Sequence, residues 1–72
     1  MNKKNKIKII VNGKQMTVNF KFSLKNVIDK LKIPINKVAI ELNKEIINKK
    51  KISKIILKNG DKIEIVHFIG GG

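Results

Sequence analysis

The stretch KIKIIVNGKQMTVNFKFSLKNVIDKL, residues 6–31, decides the fold because its hydrophobic spacing changes once along its length. On both sides of Asn12-Gly13 apolar residues alternate with polar ones, which is the period of half-buried strands. Asn-Gly tolerates the positive φ angles of a two-residue hairpin turn, so these two strands are predicted to be antiparallel. From Ser23, a good N-cap, the apolar residues follow at helical spacing, and Pro34 is predicted to stop the helix.

Three more strands and one short helical segment are predicted downstream. The strands are expected at 38–42, 45–47 and 62–69, and a short helix or 3₁₀ turn is expected within 48–57. The second strand and the helix contribute these residues to the predicted core: Met16, Val18, Phe20, Leu24, Val27, Ile28 and Leu31. One helix and one alternating sheet can bury each other's apolar sides, so the sequence predicts a two-layer α+β domain. Its first and last strands are expected to lie side by side at the centre of a mixed sheet.

Length and composition set limits on function. The chain has 72 residues and a net charge of +12, and all 17 basic residues are lysine. A single domain over 1–72 is predicted, with a frayed start over 1–5 and a flexible glycine tail over 70–72. Lysine, asparagine and isoleucine have A/T-rich codons, so codon bias explains the charge better than a polyanionic partner does. Arginine, the residue best suited to phosphate and guanine contacts, is absent.

The residues that could carry catalysis or bind a metal are few and scattered. Cysteine is absent, His67 is the single histidine, and the five carboxylates are dispersed, so neither a catalytic group nor a metal site is predicted. Lysines occupy nearly every outward position, and the Lys49–Lys51 run is interpreted as a solvated loop, so no specific nucleic-acid partner is predicted. No run approaches the ~20 apolar residues of a membrane span. We expect a cytoplasmic or plastid-stromal protein.

The last strand is apolar on both faces and leads into three glycines. Ile65 shares one face with His67, whereas Val66 and Phe68 lie on the other. A small domain needs only one face for its core, so the second face, with His67 beside it, is a candidate partner surface.

Glycine has no Cβ and can thread a narrow channel. Extended from Phe68, the tail Gly70-Gly71-Gly72 reaches about 13 Å. That is enough to present the carboxylate of Gly72 inside the active site of another protein. A frayed tail without a function is the alternative interpretation.

The ending GDKIEIVHFIGGG, residues 60–72, and the hairpin VNGK, residues 11–14, resemble the ThiS family of sulfur carriers in thiamine biosynthesis. The resemblance covers about residues 6–72. It implies a ubiquitin-like β-grasp fold and a carrier, not an enzyme, that is monomeric when free and binds no cofactor.

By the same resemblance, a ThiF-type adenylyltransferase would use ATP to adenylate Gly72, with Gly70 and Gly71 as the slender stem. A sulfur donor enzyme would supply the sulfur of a C-terminal thiocarboxylate, and the thiazole synthase ThiG would accept it.

Three alternatives stay open from the sequence. A MoaD-like carrier for molybdopterin synthesis would share the fold and the tail and differ in its acceptor. A ubiquitin-like protein tag would form isopeptide bonds to lysines. A TGS-type RNA-binding β-grasp module is favoured by the charge, but it would need its lysines on one face and would not use Gly72.

Overall fold

The computed structural model describes residues 5–68, which form one mixed sheet covered by one α-helix. In chain order the elements are β1 (Lys6–Val11), β2 (Lys14–Asn19), α1 (Leu24–Lys30), a 3₁₀ helix (Ile35–Lys37), β3 (Val38–Leu42), β4 (Glu45–Ile46), a second 3₁₀ helix (Lys49–Lys54) and β5 (Lys62–His67). The strand order is β2-β1-β5-β3-β4. Only the β1–β5 pairing is parallel. The predicted α+β architecture, its central pair of first and last strands, and the 3₁₀ turn within 48–57 are confirmed.

The core lies between the sheet and the helix and is almost entirely aliphatic. Its buried members are Ile7, Ile9, Val18, Leu24, Val27, Ile28, Val38, Ile40, Ile52, Leu57, Ile63 and Ile65. β1, β3 and β5 each contribute two alternate residues to this cluster and β2 contributes Val18, as expected of a sheet with one buried face.

The hairpin turn between β1 and β2 also fixes the last strand. Asn12 and Gly13 have φ angles of +49° and +84°, which confirms the predicted turn conformation. The Asn12 side-chain amide accepts a hydrogen bond from the backbone N–H of Ile65 at 2.7 Å and donates one to the Ile65 carbonyl at 3.3 Å. The backbone N–H of Asn12 donates to the Ile63 carbonyl at 2.9 Å. Asn12 therefore extends the parallel β1–β5 ladder beyond the last residue of β1.

Capping defines both ends of α1. Ser23 is the predicted N-cap, and it forms a capping box with Asn26 in which each side chain accepts from the other residue's backbone N–H. At the other end, Lys32 has a left-handed φ of +56°. Its N–H donates to the Asp29 carbonyl, and the N–H of Ile33 donates to the Ile28 carbonyl. This is a Schellman motif, so the helix ends before Pro34 can act.

Two predicted core residues are exposed. Leu31 is the C-cap of α1 and is 41% exposed, because the Schellman motif turns the chain one residue after it. Phe20 is 56% exposed, because β2 ends at Asn19 and the chain then turns through Lys21, whose φ is +71°. Phe22, not Phe20, packs against the core. Both predictions were wrong for the same reason: the periodic pattern extends past the end of the element.

Asn12→Gly tests whether the side-chain amide of Asn12 secures β5. Glycine keeps the turn conformation but removes two partly buried hydrogen bonds. We expect a loss of about 1–2 kcal/mol in the free energy of unfolding. For a domain of this size each kcal/mol lowers Tm by roughly 4–8 °C. Asn12→Asp, which keeps the acceptor for the Ile65 N–H, should lose less. Equal thermal stability of Asn12→Gly and wild type would contradict this account.

Lys32→Gly tests the helix C-terminus. A side chain in the left-handed region carries a steric cost that glycine does not have, so this substitution should raise the free energy of unfolding by about 0.5–1 kcal/mol. The matched control is Lys30→Gly, which places glycine inside the last turn of α1 and should lower stability by about 1 kcal/mol. Chemical denaturation of both variants gives the comparison. A Lys32→Gly variant less stable than wild type would be inconsistent with the cap described here.

Candidate functional site

The two faces of β5 and of Phe68, the residue that follows it, have different surroundings. Ile63 and Ile65 are buried under the helix, whereas Val66 and Phe68 are 57% and 58% exposed. This confirms the predicted division of the strand. Phe68 is the last residue that the structure describes, so the predicted site residues Gly70, Gly71 and Gly72 lie outside the described residues, as does Ile69.

Val66 lies among apolar and acidic neighbours on the sheet face that points away from the helix, which we call the outer face. Across the β3–β5 pairing, Val66 is opposite Ala39 and Glu64 is opposite Glu41. On the far side of Glu41, Ile46 of β4 is 77% exposed. Along the outer face, Val66 therefore lies between the two carboxylates and Phe68, the residue nearest the tail that the structure describes.

His67 does not share this face. It pairs with Val38 of β3, whose side chain is buried on the helix side, and the alternation of β5 places His67 on that side as well. It is nevertheless exposed, because the core ends here. The structure thus brings Val66 and Phe68 to one face and leaves His67 at the margin of the other.

Phe68 is held by its backbone and by its ring. Its N–H donates to the Lys37 carbonyl at 2.9 Å, which continues the β3–β5 ladder by one residue. The ammonium of Lys49 lies 5.4 Å from the centre of its ring, within the range of a cation–π contact. The same ammonium donates to the Val38 carbonyl at 2.7 Å and to the Ile35 carbonyl at 3.0 Å.

Lys49 corrects the interpretation of the lysine run as a solvated loop. It is half-buried and bonded, whereas Lys50 and Lys51 are exposed as predicted. Nothing in three consecutive lysines distinguishes the first from the others. The distinction arises only because the second 3₁₀ helix begins beside the unpaired edge of β3.

The described lysines are spread over the surface and do not concentrate on one element. Every described lysine except Lys49 is exposed, and these lysines lie on strands, helices and turns alike. The exposed rings of Phe20 and Phe68 follow different strands, β2 at the sheet edge and β5 at its centre. Within residues 5–68, no three side chains form a group that could hold a metal ion. No helix in the same range is long and apolar enough to cross a membrane.

The sequence is similar to a known protein family and to a larger protein. The model of the ThiS family matches residues 9–72. A thiazole synthase from Paramagnetospirillum magneticum is 35% identical over 66 residues, which are 92% of this chain and 20% of that protein. The chain therefore spans one fifth of the length of that relative.

A solved structure gives the fold comparison. The crystal structure of the thiamine biosynthesis protein ThiS from Geobacter metallireducens superposes with a TM-score of 0.77 at 30% identity, covering 92% of this chain and all of the other. The fold is therefore the ubiquitin-like β-grasp that the resemblance to the ThiS family implied.

Proposed function

This chain belongs to the ThiS family, and from that membership we propose that it carries sulfur for the synthesis of the thiamine thiazole, with the carboxylate of Gly72 as the carrying group. The observation that carries the proposal is the family match, which extends through the glycine tail to residue 72. The proposal takes Gly72 as the carboxyl-terminal residue of the working carrier.

The chemistry requires a partner because a carboxylate is a poor electrophile. In the proposed sequence, a ThiF-type adenylyltransferase joins the Gly72 carboxylate to the α-phosphorus of ATP and releases pyrophosphate. A persulfide sulfur then attacks the carbonyl carbon, and AMP leaves. Cleavage of the remaining S–S bond by a thiol gives the thiocarboxylate. All catalytic groups lie on the partners, which agrees with the scattered titratable residues of this chain.

Docking is proposed to use the outer face around Val66 and Phe68, with His67 contributing a smaller contact from the other side of the same strand. Exposed apolar side chains beside the tail provide contact area, and the glycines Gly70 and Gly71 lack the side chains that a narrow active-site channel would exclude. The acceptor is proposed to be a thiazole synthase. Support comes from the relative of that name, one fifth of which is similar to this chain.

Intact mass tests the carrier chemistry. We expect incubation with the adenylyltransferase, ATP, a persulfide donor and a thiol to raise the mass of the protein by the difference between one sulfur and one oxygen. A variant that lacks Gly72 should show no such gain. No gain in the wild-type protein, with an adenylyltransferase shown to be active on another carrier, would contradict the proposal.

RNA binding would then be tested next, because the charge of +12 favours it. Deletion of Gly71 and Gly72 should not affect RNA binding.

Val66→Lys tests the docking surface. Lysine already fills outward positions of this sheet at Lys6 and Lys8, so the fold should tolerate it. Burying the added charge in a partner interface should raise the KM for pyrophosphate release about tenfold or more. Ile56→Lys is the matched control, since Ile56 is 51% exposed but pairs with Ser23 at the start of α1, away from the outer face.

The fold of both lysine variants is checked by circular dichroism. Unchanged KM in a folded Val66→Lys protein would remove Val66 from the interface. The smaller contact expected of His67, on the other side of the sheet, predicts that His67→Ala changes KM by less than about threefold.

A further inference from the structure

We propose that Lys49 is a positioning residue that holds Phe68 in place at the point where the chain continues toward the glycine tail. This inference rests on the proposed function and adds a residue to it. Its basis is the contact set of a single side chain, the ammonium of Lys49, which joins the edge of β3 to the aromatic ring that precedes the tail.

Lys49 completes an interrupted ladder. β4 pairs with β3 only at Glu41 and Leu42, and the N–H of Ile47 then donates to the Ile40 carbonyl. Two residues further along β3, the Val38 carbonyl receives its hydrogen bond from the Lys49 ammonium instead of a backbone N–H. The Ile35 carbonyl takes a second donor of the same group. An ammonium held by two carbonyl oxygens has lost much of its freedom to move.

That fixed charge lies beside Phe68. The Lys49 nitrogen lies 5.4 Å from the ring centre, close enough for a cation–π attraction. Because the ammonium is held by two carbonyl oxygens, this attraction favours one position of the ring. The backbone of Phe68 is already bonded to Lys37. The contacts of its ring and its backbone together fix the position of Phe68, four residues before Gly72. A partner that binds the outer face therefore meets the tail at a defined starting point, and fewer unproductive directions compete with entry into its active site.

Weaker docking and poorer placement of Gly72 change different kinetic parameters. A defect in the docking surface weakens the encounter and raises KM, as for Val66→Lys. Loss of the contact that holds Phe68 leaves the docking surface intact and lowers the fraction of bound carriers whose Gly72 is in place, so kcat falls and KM does not change.

The experiment measures kcat and KM for pyrophosphate release by the adenylyltransferase with four proteins: wild type, Lys49→Met, Lys49→Arg and Lys50→Met. Methionine keeps an unbranched side chain of similar length but removes the charge and the donors. We expect Lys49→Met to lower kcat about threefold to fivefold with KM within about twofold of wild type. Lys49→Arg should restore kcat, because a guanidinium also donates to carbonyls and stacks on aromatic rings. Lys50→Met, the same change at an exposed neighbour, should behave as wild type.

Hydrogen exchange of the Phe68 backbone amide tests the anchoring of Phe68 in the isolated protein, without the adenylyltransferase. In Lys49→Met this amide should exchange about tenfold faster than in wild type, while the amide of Ile65, bonded to Asn12, should be unchanged. If Lys49→Met unfolds, Lys49→Gln, which keeps amide donors without the charge, replaces it in both measurements.

The possible outcomes distinguish this inference from the proposed function. Equal kcat in Lys49→Met and Lys50→Met, or a loss that arginine fails to restore, overturns the role of Lys49 and leaves the carrier function standing. A wild-type protein that is not adenylated overturns the carrier function. In that case unchanged Phe68 exchange in Lys49→Met would overturn the anchoring as well, and faster exchange would support it.

Discussion

The parallel pairing of β1 with β5 is the constraint on which the rest of this structure depends. The ladder itself joins only Ile10 to Lys62 and Val11 to Ile63. Asn12 lengthens it from within the hairpin turn, where its side-chain amide takes the place of a peptide group against Ile65. Because the first and last strands meet at the centre of the sheet, β5 carries the chain from the buried core at Ile63 and Ile65 to the exposed residues Val66 and Phe68.

This arrangement suits the proposed role of a small carrier. A chain of 72 residues buries little surface, and the twelve buried hydrophobic residues within 5–68 form one cluster between sheet and helix. The opposite face of β5 is left over, and it is there that Val66 and Phe68 are exposed. In the proposed function the partners carry out the chemistry, so the domain needs an exposed surface near the tail, and the β-grasp topology leaves that surface on β5, the last described strand.

The sequence predicts what local signals determine. Asn12-Gly13 marks a turn that the structure forms with positive φ angles at both residues, and Ser23 caps the helix as its residue type indicates. It fails where a pattern continues beyond its element, as at Phe20 and Leu31, because the left-handed residues Lys21 and Lys32 end those elements without glycine. Lysine at such positions gives no sign of a turn, so periodicity alone extended the strand and the helix.

Lys49 could not be predicted for a different reason. Its neighbours Lys50 and Lys51 share its residue type, and what separates them is a distance of 2.7 Å to a carbonyl eleven residues earlier in the chain. Because the protein has seventeen lysines, residue type alone does not show which of them has a structural role, and only the fold identifies the one whose ammonium is held. A glycine tail has the opposite requirement, since its value lies in the freedom that a missing Cβ allows. A glycine tail can be delivered to one target only if the residue before it is held, and Phe68 makes its contacts with Lys37 and Lys49 at that junction.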